Sequence, residues 1–241
     1  ENLKSFTCGF DLSSASGIEL LFDERKNSEI MSSKFNTEHY QIVLKSGDME
    51  RCMNRLVHHI EEPRVGQSYP NYYVSKLASK FVKVVLSGIG GDELFAGYSW
   101  RYNKVKDASN YDDFIDKSYF LWQRLLSSSE TKEVFSPILG EIKDIEPREI
   151  FRDVFKKGAT SSMSTEDYIN QTLYFENKTF LHGLFVIEDK ISMSHGLETR
   201  VPFMDNDVVD FAMKCPIRYK FNFNNNNINI DENNLFEKKN A

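Results

Sequence analysis

Short aliphatic runs alternate with helical stripes through the first part of this chain. Ser5–Phe10 and Thr37–Leu44 read as strands, and Val82–Leu86 (Val-Lys-Val-Val-Leu) reads as a short buried strand, apolar on both faces as in a parallel sheet. Between them Asp23-Glu24 predicts a helix start. Asp48 is the expected N-cap of an amphipathic helix whose Met49, Cys52, Met53, Leu56 and Ile60 recur at helical spacing. Glu61-Glu62-Pro63 predicts its end, because the residue before proline avoids the helical region. Pro70–Lys80 gives a second helix. Strands alternating with helices predict an α/β fold with a doubly wound parallel sheet over residues 1–102.

Beyond Tyr102 the pattern turns helical. Tyr111–Leu126, Pro147–Lys157, Thr165–Asn177, Phe180–Ser194 and Asp205–Lys214 are expected helices, with 126–147 and 157–164 as polar connections. A mostly helical second half, 103–220, completes one domain over 1–220. Residues 221–241 are set apart: Asn222–Asn234 is mostly asparagine, too polar to offset the entropy of ordering it, and is expected to be a loop or disordered tail.

Composition narrows the function. A formal charge of −6 disfavours a nucleic-acid groove, which needs a basic face. No apolar run approaches the roughly eighteen residues of a membrane span. Cys8, Cys52 and Cys215 are widely spaced and lack a Cys-x-x-Cys, which fits a reducing, cytoplasmic setting without a disulfide or zinc framework.

The stretch with chemistry in it follows Leu86: Ser87-Gly-Ile-Gly-Gly-Asp-Glu-Leu-Phe-Ala-Gly-Tyr98. Gly88, Gly90 and Gly91 leave the backbone without Cβ atoms, so its N–H groups can approach an anion. In open α/β sheets, ligands bind beyond the carboxyl ends of strands, where this loop falls. A carboxylate beside a phosphate is repelled unless a divalent cation lies between them, so Asp92 suggests Mg²⁺. The plain alternative is a tight connection with a solvated Asp-Glu pair.

A second block, Glu188-Asp-Lys-Ile-Ser-Met-Ser-His-Gly-Leu-Glu-Thr-Arg-Val-Pro-Phe-Met-Asp205, changes the weighting. Together the two blocks closely resemble the synthetase domain of the glutamine-dependent asparagine synthetase family, over about residues 4–220. That resemblance implies a fold similar to the PP-loop ATP pyrophosphatases and an ATP-dependent amide ligase. In such an enzyme aspartate attacks the α-phosphorus of ATP, and ammonia derived from glutamine displaces AMP from the acyl-adenylate. It further implies that Cys8, Ser87, Gly88, Gly90 and Gly91 lie by the nucleotide, that Asp92 holds Mg²⁺, and that Asp189 and Arg200 shape the substrate site. Arg200 has an alternative as the buried partner of Glu198 or Asp205. His39 resembles a family position but is expected to be structural. The partners implied are ATP, aspartate, ammonia, an N-terminal glutaminase domain and a second copy of the chain.

Three family features are not found in these residues: the Ser-Gly-Gly-x-Asp-Ser loop (residues 12–18 do not match it), the glutaminase domain, and a late Lys-x-x-Leu-Arg-like run. An internal fragment is expected, binding ATP weakly and not completing the reaction alone. Ile89 stands where the family usually carries glutamate, which leaves open another carboxylate acceptor, lactam closure, or a non-catalytic binding role.

Overall fold

A computed structural model describes residues 3–11, 13–14, 23–62, 68–123, 126–142, 144–155 and 163–223. In chain order its elements begin β1 (Lys4–Phe10), α1 (Arg25–Phe35), β2 (Glu38–Leu44), α2 (Asp48–Ile60), α3 (Ser68–Ala78) and β3 (Val84–Leu86). Helices follow: α4 (Gly91–Phe95), α5 (Ser99–Val105), α6 (Tyr111–Trp122), α7 (Ser128–Val134), α8 (Leu139–Ile142), α9 (Pro147–Asp153) and α10 (Thr165–Phe175). A π turn, Glu176–Phe180, leads into α11 (Leu181–Met193), β4 (Glu198–Arg200) and α12 (Asn206–Lys214). The chain divides into two compact units: Glu1–Gly88 with Gly183–Pro202, and Ile89–His182 with Phe203–Ala241.

The first unit carries the strands. β1 and β2 pair in parallel from Lys4↔Glu38 to Phe10↔Leu44. A parallel pair needs a crossover, and α1 supplies it, packing on both strands. The apolar stripe foreseen on α2 is its buried face: Cys52, Leu56 and Ile60 form a core with Tyr72, Ile187 and Ile191. The N-cap differs from expectation. Gly47, at φ 83°, caps the helix, and Asp48 is its first residue. The Asp48 carboxylate turns back to accept the Lys45 N–H at 2.6 Å and pairs with Arg51 at 2.7 Å, so it serves the preceding turn. Glu61 ends the helix in the left-handed region (φ 57°), its N–H donating to the Val57 carbonyl; Pro63 lies outside the described residues.

β3 is shorter than the run that predicted it and is not buried on both faces: Leu86 is 72% exposed. Its partner among the described residues is β4 alone, in parallel register Val84↔Glu198 to Leu86↔Arg200. Among the described residues these two three-residue strands pair with each other alone. β4 itself was not foreseen, because Glu-Thr-Arg is too short to display alternation. The α/β class and the parallel pairing agree with expectation. Among the described residues that pairing forms two separate two-stranded sheets.

The second unit is helical around two aromatic-rich cores. One joins Ala96, Tyr102, Ile169, Leu173, Ile217 and Phe221, and the other Val105, Phe114, Ile115, Phe155, Tyr168 and Phe175. Residues 126–147 are not a plain polar connection, since α7, a 3₁₀ turn at Ser136–Ile138 and α8 lie within them. The cause is a capping box: Glu130 N–H donates to Ser127 Oγ, and Ser127 N–H to the Glu130 carboxylate. The same reciprocal pair, Ser164 with Asp167, opens α10. The expected helices Thr165–Asn177 and Phe180–Ser194 are continuous through the π turn. The asparagine-rich tract lies outside the described residues apart from its first two positions. Among the described residues no helix is long and apolar enough to cross a membrane.

Candidate functional site

The glycine turn after β3 straddles the boundary between the two units, so its halves are taken separately. In the second unit Gly90 has φ 99°, a conformation only glycine adopts without strain. A Cβ there would come within 2.8 Å of Met204 Sδ, and one on Gly91 would lie 3.5 Å from the Phe203 ring. The two sequence blocks therefore meet: the glycines of the first pack on the Phe-Met of the second. In the first unit they meet again where Ser87, just after β3, bonds to Arg200 at the end of β4.

The Gly90 N–H donates to Glu93 Oε2 at 3.1 Å, and the other Glu93 oxygen accepts the Tyr98 hydroxyl at 2.7 Å. Beside it Asp92 is half-buried. Burial raises its carboxyl above the usual range, the adjacent Glu93 raises it further, and Arg101 pulls it down. Among the described residues no donor hydrogen-bonds this carboxylate. Gly97 makes its position possible, since a Cβ on Gly97 would overlap the Asp92 carboxyl group.

Behind the turn lies a buried ion pair that the sequence reading missed. Arg101 Nη1 donates to Glu176 Oε1 at 3.0 Å, and the Tyr102 hydroxyl donates to Glu176 Oε2 at 2.8 Å. Burial pushes the Glu176 carboxyl up to about 7 against the pull of Arg101 and Tyr102. From the π turn Asn177 Nδ2 donates to the Glu93 carbonyl at 2.9 Å and to the Leu173 carbonyl at 2.8 Å.

In the first unit the Ser87 N–H donates to the Arg200 carbonyl at 2.8 Å, extending the β3–β4 ladder. Two amides of this loop are occupied within the fold. Ser87 and Gly90 have committed theirs, one to a neighbouring strand and one to an internal carboxylate. Gly88 is different, because a Cβ built on it would meet nothing within 4 Å. Arg200 pairs with Glu198 (Nε to Oε1, 2.8 Å), as the structural alternative held, but both side chains are more than half exposed. The pair is therefore on the surface and worth little energetically.

Asp189 lies exposed on α11, between two engaged neighbours. Glu188 accepts Asn71 Nδ2 at 3.2 Å, and burial raises its carboxyl. Lys190 Nζ donates to the Ile60 carbonyl at 2.7 Å and sits 3.7 and 3.8 Å from Glu61 and Glu62. The acidic helix stop is thus tied to the second sequence block. Cys8 lies on β1 opposite Ile42, its thiol pushed up to about 12 by burial and by Asp23. It is a packed, protonated thiol. His39 Nδ1 lies 2.8 Å from Ser5 Oγ across the strand pair.

The structure brings Gly90, Gly91 and Asp92 together in the second unit, and joins Ser87 to Arg200 in the first. Glu93, Tyr98, Arg101, Glu176, Asn177 and Lys190 are additions to the expected set. Charged residues inside otherwise apolar stretches (Trp-Arg-Tyr, Tyr-Phe-Glu) were the signal available for Arg101 and Glu176.

Parallel strand pairs joined through helices place the chain in the α/β class. The family is more specific. The asparagine synthase family model matches residues 1–227, and the chain belongs to that family. It is 27% identical over 244 residues to asparagine synthetase (glutamine-hydrolyzing) 1 of Bacillus subtilis (strain 168), an alignment covering 91% of this chain and 37% of the relative. A putative asparagine synthetase (glutamine-hydrolyzing) 2 of Methanocaldococcus jannaschii is 40% identical over 102 residues, 42% of this chain and 19% of the relative. A putative asparagine synthetase (glutamine-hydrolyzing) of Mycobacterium bovis is 24% identical over 247 residues, 89% of this chain and 35% of the relative. The chain spans little more than a third of the length of these curated relatives at most.

Proposed function

We propose that this chain is the synthetase part of an ATP-dependent amide-forming ligase that adenylates a carboxylate, aspartate in the first instance, for displacement by ammonia. The observation that carries the reading is the meeting of the two sequence blocks at the glycine turn, with the Asp92 carboxylate held beside it and unpartnered among the described residues. The proposed fold is the doubly wound, PP-loop type sheet, with 1–220 as one synthetase domain and 221–241 as a tail.

A carboxylate does not react with amines at neutral pH, so it must be activated. The chain's part in that is positioning and charge neutralisation rather than covalent attack. Gly88, with open space at its Cα, is where the backbone can approach a phosphate. Asp189 and Arg200 would line the acceptor side, Arg200 by leaving its exposed pair with Glu198. Cys8, a neutral thiol, would contribute surface against the nucleotide base.

Mg²⁺ fits Asp92 on the chemistry of the donor. A raised, half-buried carboxyl without a hydrogen-bond donor gains from a cation, and magnesium typically takes one or two carboxylates plus phosphate and water. Among the described residues no cluster of three or more acidic, His or Cys side chains could hold a metal unaided, which suits a cation shared with phosphates. Its chemistry when bound would be to draw charge off the leaving pyrophosphate.

Ammonia would come from glutamine through a glutaminase domain of the parent protein, in the cytoplasm, with a homodimer as the assembly. Ile89 supports a second reading, in which the acceptor is another carboxylate, because an isoleucine cannot accept a proton or steer ammonia. Exchange of labelled pyrophosphate into ATP by the full-length protein, assayed with aspartate and a panel of carboxylic acids, tests both. Exchange with aspartate alone supports the first, exchange with another acid supports the second, and none with any acid rejects adenylation.

A further inference from the structure

We propose that Arg101 is a positioning residue: through Tyr98 and Glu93 it fixes the Gly90 amide and hence the aim of the Asp92 carboxylate. This deepens the adenylating reading and rests on it for its functional readout. Every contact involved lies within the second unit.

Arg101 is 1% exposed. Its guanidinium carbon lies 3.8 Å from the centroid of Tyr98, 4.6 Å from Phe180 and 4.8 Å from Trp122. Burying a guanidinium with one carboxylate is weak evidence of stabilisation, since apolar residues of equal volume often serve as well. Its Nε, moreover, finds no hydrogen-bond partner among the described residues. The group is held by ring faces as much as by Glu176, and what it holds in return is the plane of the Tyr98 ring. That plane directs the Tyr98 hydroxyl onto Glu93 at 2.7 Å.

Glu93 is gripped at both ends. Its carboxylate spans Tyr98 and the Gly90 N–H, and its carbonyl accepts Asn177. Asn177 follows Glu176, the ion-pair partner of Arg101, so the same π turn supports both ends of the relay. Wide turns of this kind are frequent at functional sites. Asp92 directly precedes Glu93 and is pressed from the other side by Gly97, so its direction follows from the direction of Glu93. Lysine cannot replace the arginine here: it keeps the charge and loses the plane that stacks on the rings.

The test is hydrogen–deuterium exchange of the full chain across residues 87–97 in Tyr98→Phe and Arg101→Lys, with the Mg²⁺ dependence of pyrophosphate exchange measured in the full-length protein. Removing a hydrogen bond to a charged group predicts about tenfold faster exchange at the Gly90–Asp92 amides, with α10 protection unchanged in Tyr98→Phe. The Mg²⁺ concentration for half-maximal activity should rise while saturated kcat falls little. Unchanged exchange at the turn, or loss of protection spread evenly through the unit, overturns the proposal, as does an unshifted Mg²⁺ dependence in an active protein. If the unmutated protein exchanges no pyrophosphate, the adenylating reading fails, and deuterium exchange still decides whether Arg101 holds the turn.

Discussion

Replacing Arg101 by methionine removes one half of the buried ion pair and leaves the Glu176 carboxylate, itself fully buried, with Tyr102 as its hydrogen-bond donor. Breaking such a pair from one side costs about 3–5 kcal/mol, because the remaining charge stays desolvated. The pH dependence separates this cause from lost packing. The Glu176 carboxyl is already raised from 4.5 to about 7, so its protonated form is favoured by folding. That contribution is complete below the unfolded value and is lost as pH rises through the folded one. Without Arg101 the folded value climbs further. The penalty of Arg101→Met relative to the unmutated protein should therefore be level below about pH 7 and grow above it, with a slope of up to about 1.4 kcal/mol per pH unit. Glu176→Gln in the same background removes the charge and keeps an acceptor for Tyr102. The double variant should recover roughly 2 kcal/mol at pH 8 relative to additivity. Urea titrations at several pH values measure all of this. A penalty that is equal at pH 5 and pH 8, together with additive single and double variants, would refute the reasoning.

Three further outcomes follow from the turn. Gly90→Ala forces a side chain to φ 99° against Met204 and should cost about 1–3 kcal/mol by thermal unfolding. Gly97→Ala must push the Asp92 carboxyl group aside; in the full-length protein it should raise the Mg²⁺ concentration needed for half-maximal activity, as Asp92→Asn does, although residue 97 itself carries no side chain that could bind the ion. Asp92→Asn should raise the melting temperature at neutral pH. Its carboxyl is raised by burial and by Glu93, so the stability tied to its protonated form is present below the unfolded value and lost as pH rises through the raised one, and asparagine removes that loss. A lowered melting temperature would show that the Asp92 charge is instead compensated in the fold.

How much of this was legible depended on the range of the signal. The stripe of Cys52, Leu56 and Ile60 is local and periodic, and it is the buried face of α2. β1 and β2 announced themselves as runs long enough to read. β4 is too short to alternate, and its strand character comes from pairing with a segment more than a hundred residues earlier. The capping box at Ser127-Ser-Ser-Glu130 lies in a polar stretch with no apolar periodicity to mark the helix it opens. At the site, the glycines and Asp92 were visible as types, while the commitment of the Ser87 and Gly90 amides was not, since it depends on where Arg200 and Glu93 lie in space. Arg101 and Glu176 are 75 residues apart and meet only in the packed core, so each alone reads as an ordinary charged residue.

The proposed role of Asp92, holding a divalent cation against bound nucleotide, has a direct readout. Electron paramagnetic resonance of Mn²⁺ titrated into the full-length protein with ATP measures it directly. A protein–Mn²⁺–ATP signal is expected, distinct from that of Mn²⁺–ATP alone, lost in Asp92→Asn and retained in Asp189→Asn. The same ternary signal in Asp92→Asn as in the unmutated protein would contradict it.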